Sequence, residues 1–111
     1  MTEVFYSRTE DGHELMISGH AGYDSGGRDV VCSAVSSIAY ALLGFLENEA
    51  NGASDCDYMT ESGLLGVTAA ASERVDVAFD VALIGLMQIE LQYPDYVRVS
   101  IFPQQADDLG E

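Results

Sequence analysis

Lysine and tryptophan are missing from this 111-residue chain, and proline and cysteine each occur only twice. Without lysine, all positive charge rests on Arg8, Arg28, Arg74 and Arg98, against nineteen acidic residues, for a formal charge of −15. A surface that negative repels phosphate backbones, so direct nucleic-acid binding is not expected. The two cysteines, Cys32 and Cys56, and the two histidines, His13 and His20, show no zinc-ligand spacing, and neither a metal nor a cofactor is expected. The apolar run Val81 to Met87 is too short to span a bilayer. Met1 to Val4 lacks the basic and apolar regions of a secretory signal. These absences predict a cytoplasmic location, no membrane contact, and cysteines that remain reduced thiols.

A hydrophobic share of 48% argues for a packed globular domain rather than disorder. The length fits one core, which we place in residues 1–103, with residues 104–111 as a polar tail. The acidity has two readings at this stage. It steers a basic protein partner, or it serves only solubility or a saline cytoplasm.

Along the chain, Val4 to Arg8 leans to strand, and Glu10-Asp11-Gly12-His13 carries the Asp-Gly hairpin signal. Leu15 to Gly19 is the returning strand, and a loop rich in glycine follows, with Gly19, Gly22, Gly26 and Gly27. A helix is expected from about Val30 with Asp29 as its N-cap, because its carboxylate can accept a first-turn N–H. Val31, Val35, Ile38, Leu42 and Phe45 then repeat at helical spacing. Strands are expected at about Asp55 to Thr60 and Leu64 to Ala70. Val75 to Val81 alternates like a strand, yet Val75, Phe79, Ala82, Leu86, Ile89 and Tyr93 make a helical stripe too long for one. A helix capped by Ser72 and stopped by Pro94 is therefore expected, with Val97 to Phe102 as a closing strand. The order ββαββαβ predicts an α+β sandwich, two helices on a mainly antiparallel sheet.

Cys32 falls in the first turn of that first helix, where unpaired amides and the helix dipole favour a thiolate. A thiolate there is a nucleophile, and the same amides can bind an oxyanion. The other reading is a packed core thiol. His20, at the strand end before the glycine loop, is placed to act as general base and then as acid for a leaving amine.

The segments Gly19-His20-Ala21-Gly22-Tyr23 and Gly27-Arg28-Asp29-Val30-Val31-Cys32-Ser33-Ala34-Val35-Ser36 resemble the signature of the ribosomal-processing cysteine protease family Prp. In that signature a GHA motif precedes a D-x-V-C helix start by about a dozen residues. The resemblance covers residues 1 to 102 and implies the ββαββαβ fold. It implies Cys32 as nucleophile and His20 as its partner, a dyad with no third member. Ser36, one turn on, takes a supporting place, and Asp29 matches the acidic residue before the nucleophile, where capping accounts for it. Gly22, Tyr23, Gly26 and Gly27 fall in a loop expected to order over the substrate, and Tyr23 is a candidate for an aromatic-accepting pocket. The family further implies a homodimer that removes the N-terminal extension of large-subunit ribosomal protein twenty-seven, cutting after aromatic residues. The exposed side of the second helix is the candidate dimer surface.

Other residues carry plainer expectations. His13 is expected in a solvent-exposed turn, and Cys56, alternating with Tyr58, as a packed thiol. Tyr40 and Met87 are expected to fill a core or a dimer face. Two further functions fit the same residues: a non-catalytic acidic partner of a basic ribosomal protein, and a small thioesterase or acyl-transfer enzyme using the same dyad.

Overall fold

The computed structural model describes residues 1–19, 27–49, 56–61 and 63–102. The elements are β1 (Thr2–Thr9), β2 (Gly12–Ser18), α1 (Gly27–Glu49), β3 (Cys56–Glu61), β4 (Leu64–Ala70), α2 (Glu73–Gln92) and β5 (Val97–Phe102). They form one five-stranded sheet in the order β3-β4-β2-β1-β5. Its pairings are antiparallel except β1 with β5, which run parallel because α2 carries the chain back across the sheet. The expected ββαββαβ sandwich is the observed one. The tail, residues 104–111, lies outside the described residues.

Period-two alternation selects the buried face. Val4 and Tyr6, Leu15 and Ile17, Leu65, Val67 and Ala69, and Val97 all point into one core, and both helices pack onto that side. On the other face the rings of Phe5 and Phe102 stack at 6.1 Å.

The second helix forms as its sequence signals require. The Ser72 side chain accepts the Val75 N–H at 3.2 Å, Glu73 and Asp76 complement the dipole of the first turn, and the helix ends at Tyr93 before Pro94. It buries Val75, Phe79, Ala82, Leu83 and Leu86. On α1, by length and composition apolar enough to cross a membrane, the stripe Val31, Val35, Ala39, Leu42, Leu43 and Leu46 is instead buried in this core. Ile38 and Phe45 pack at its margin.

Tyr40 and Met87 are exposed and do not fill the core. They sit on an outer helical surface that also exposes Val77, Val81, Ile84 and Leu91. Ile38, Ala41, Phe45, Val77, Ala78 and Gly85 line a groove of about 790 Å³ there, between the two helices. Arg74 ties the far end of α1 to the start of α2 through Glu49 at 2.9 Å, with its guanidinium 5.5 Å from the centre of the Phe45 ring.

Candidate functional site

α1 begins at Gly27, three residues before the expected start, so Asp29 lies inside the first turn and is not the N-cap. An acidic residue near a helix N-terminus is favoured at the cap and in the first turn alike, since both places face the unpaired amides and the positive end of the dipole. That shared preference is why the sequence placed the start late. Cys32 is consequently in the second turn, and its own N–H is within the helical ladder. Helical side chains lean back toward the N-terminus, which keeps the thiol over the turn whose amides are unpaired.

Cys32 is a free thiol, half-buried beside the fully buried Val31 and Val35. It belongs neither to the core nor to the open surface. Ser36, also half-buried, follows four residues later on the same flank of α1. The apolar groove residues Ala41 and Phe45 project from the other flank, so groove and thiol are separate features.

The approach to the helix from β2 is fixed by backbone geometry. Ser18 pairs with Glu3 on one side and Leu64 on the other. Gly19 then turns with φ +89°, and its N–H donates to the Gly63 carbonyl at 2.9 Å. A Cβ at Gly19 would collide with the Met1 carbonyl oxygen, so a glycine is required for space as well as for φ. The chain therefore leaves the sheet from one pinned position, the residue before His20. His20 itself, Gly22, Tyr23 and Gly26 lie outside the described residues, and so do the side chains of Asp29, Cys56 and Tyr58. Gly27 is the first residue of α1.

A second polar cluster was not anticipated. His13 is neither in a turn nor exposed: it is in β2 with a fully buried side chain, because Gly12 already belongs to the strand and Thr9 pairs with Gly12 across a turn of Glu10 and Asp11. The signal was present in the sequence, since His13, Leu15 and Ile17 share one face by alternation. The imidazole lies flat on Phe79, with ring centres 4.3 Å apart and planes within 2°. Its Nε2 donates to Asp76 Oδ1 at 2.6 Å, since a carboxylate only accepts. Nδ1 is then the acceptor for the Tyr6 hydroxyl, also at 2.6 Å. Arg8, opposite His13 in the ladder, bridges to Asp76 at 3.5 Å and Asp80 at 3.1 Å. These bonds lock the β1–β2 hairpin to the first half of α2. They lie at the opposite end of the sheet from Gly19, roughly 20 Å along β2 at about 3.4 Å per residue.

Burial pushes the Tyr6 hydroxyl up to about 12, against the opposing pull of Arg8, so it stays protonated and serves as a donor. The hydrogen bond from His13 holds the Asp76 carboxyl below its ordinary value, outweighing the opposing effect of desolvation, with Arg8 and the Ser72 backbone adding to it. A depressed carboxylate contributes stability that is present above its unfolded pKa and lost as pH falls through the folded one. Wild-type urea midpoints should therefore fall below about pH 4, the ordinary range for Asp. Asp76→Asn should start lower at neutral pH and show a shallower acid limb. Equal limbs in the two proteins would remove Asp76 from the acid response.

The sequence model of a family described as cysteine protease Prp matches residues 1–98. No curated protein matches. Among solved structures, the chain resembles an essential ribosomal processing protease Prp from S. aureus in complex with a substrate peptide. The TM-score is 0.74 at 17% identity, covering 91% of this chain and 99% of that one. The same S. aureus protease with a covalently linked product peptide gives a TM-score of 0.70 at 19% identity, with the same coverage. SMU.848 from Streptococcus mutans gives 0.72 at 24% identity, covering 91% of this chain and 93% of that one. At these identities the likenesses establish a common fold.

Proposed function

The chain belongs to the cysteine protease Prp family and is a peptide-bond hydrolase, and from that premise we propose that Cys32 is its nucleophile and His20 its general base. The observation that carries the assignment is the position of Cys32, a free, half-buried thiol in the second turn of α1, with β2 delivering the chain to His20 from the pinned Gly19.

In the reaction, His20 takes the Cys32 proton as the sulfur attacks the scissile carbonyl. The tetrahedral oxyanion is met by first-turn amides of α1. Collapse expels the amine, which receives the proton from His20, and leaves a thioester on Cys32. Water, deprotonated by His20, then hydrolyses the thioester and frees the thiol. The covalently linked product peptide of the S. aureus protease supports a covalent intermediate of this kind. Ser36 supports the thiol from one turn away. Asp29 acts through the helix N-terminus, and Gly22, Tyr23 and Gly26 are assigned to the substrate loop, whereas Gly27, expected there too, opens α1 instead.

The proposed substrate is the N-terminal extension of large-subunit ribosomal protein twenty-seven, cut in the cytoplasm after an aromatic residue, with no nucleic acid or membrane involved. The formal charge of −15 supports a basic partner of this kind. Alkylation tests the assignment. Iodoacetamide should modify Cys32 faster than Cys56, and cleavage of a peptide copying the extension should fall in step with Cys32 modification. Full activity after complete Cys32 alkylation would rule out the thiol mechanism.

The proposed assembly is a homodimer. Val77, Val81, Ile84 and Leu91 form an exposed apolar row on α2, of the sort that marks a contact surface, and it borders the groove between the helices. Val81→Asp with Ile84→Asp should halve the mass measured by light scattering; an unchanged mass would place the contact elsewhere.

A further inference from the structure

β5 is an outer strand whose pairing within the sheet is with β1. In this parallel ladder the Thr2 N–H donates to the Tyr96 carbonyl at 2.8 Å, and Thr2 stands opposite Val97. The alternation that follows turns the N–H groups of Val97, Val99 and Ile101 away from β1, toward the edge on which no described strand pairs. Such a row is a template on which another strand can pair. The β5 sequence Val-Arg-Val-Ser-Ile-Phe, with one charge and β-branched residues at alternate positions, is of the kind that pairs readily.

The first two of those donors are already occupied, both by the C-terminal end of α2. The Val97 N–H donates to the Tyr93 carbonyl at 3.1 Å. The Val99 N–H, in the middle of the strand, donates to the Glu90 side chain at 3.1 Å. Glu90 thus reaches from the last turns of a helix to a strand backbone nine residues later and takes the hydrogen bond that an incoming strand would need.

We propose that Glu90 guards the β5 edge against strand addition by β5 of a second copy of this chain. Without the guard, two β5 strands pair antiparallel about a two-fold axis, joining their sheets edge to edge. The contact is independent of the exposed α2 row, and it needs no part of the peptide-bond chemistry.

Three substitutions test this. Glu90→Ala removes the acceptor, Glu90→Gln keeps an acceptor oxygen without the charge, and Glu90→Asp keeps the charge but withdraws the oxygen by one methylene. In Glu90→Ala, amide exchange at Val99 should rise at least tenfold at concentrations too low for strand pairing, and light scattering should show a species of twice the wild-type mass that grows with concentration. Glu90→Asp should behave likewise, and it serves in place of the alanine variant if that protein does not unfold cooperatively. Glu90→Gln should match wild type in both readings. Adding Val99→Pro to Glu90→Ala removes the outward donor without touching the ladder to β1, and should return the mass to the wild-type value. Faster Val99 exchange with an unchanged mass at every concentration would overturn the proposal, as would a doubled species that survives Val99→Pro.

Discussion

Cys32→Ala is expected to lower kcat/KM for a peptide copying the ribosomal extension by about a thousandfold or more, with no loss of fold. The magnitude follows from the role: removing the nucleophile of a covalent mechanism leaves only the contributions of binding and oxyanion stabilisation, and such losses commonly reach ~10⁴ to 10⁶. The fold should survive because Cys32 is half-buried, at the margin of the stripe formed by Val31 and Val35, and truncation to alanine opens no enclosed cavity. The urea midpoint and circular dichroism of the variant should therefore stay close to wild type. This pairing of lost activity with retained stability is what separates a working thiol from a packing one. A non-catalytic acidic partner would bind its ribosomal protein equally well without Cys32, and the binding would weaken with salt. A thioesterase using the same dyad would lose activity in the variant too, but on acyl thioesters rather than on the peptide. Cleavage by Cys32→Ala at the wild-type rate would end the nucleophile assignment.

Much of this arrangement is written locally in the chain, and the exceptions have physical reasons. Ser72, the long stripe from Val75 to Ile89, and Pro94 bound α2 within the sequence itself, because caps and breakers act over a few residues. The start of α1 was displaced because an acidic residue serves equally at a cap and in a first turn. His13 lies in β2 rather than in a turn because strand alternation prevails over the Asp-Gly turn signal beside it. Its partners, Asp76 and Tyr6, could not be read at all, since they come from 63 residues away and from the neighbouring strand. The parallel pairing of β1 with β5 is likewise non-local; no residue of either strand announces it. The proposed nucleophile is legible only in part: composition and spacing leave Cys32 open between a thiolate and a packed thiol, and the thiolate reading rests on the resemblance to the family motif.

The second large effect falls on Phe79, far from the proposed chemistry. Phe79 is fully buried, with its ring stacked on His13 and 5.9 Å from that of Tyr6. Phe79→Ala should cost about 3–5 kcal/mol, because the lost transfer energy is joined by a cavity that the rigid sheet above it cannot close. Against the ~5–15 kcal/mol typical of a domain this size, that is enough to leave a sizeable unfolded fraction at 37 °C. The loss extends beyond packing. A cavity beneath the imidazole admits water to the His13–Asp76 and Tyr6–His13 bonds, which Phe79 now shields, and weakens the lock between the hairpin and α2. Phe79→Leu separates these contributions. It keeps most of the volume but gives up the ring stacking, and should cost only about 1–2 kcal/mol. The pair is read from urea midpoints at neutral pH. A loss below about 2 kcal/mol for Phe79→Ala, or equal losses for the two variants, would mean that the ring is not the support on which His13 rests.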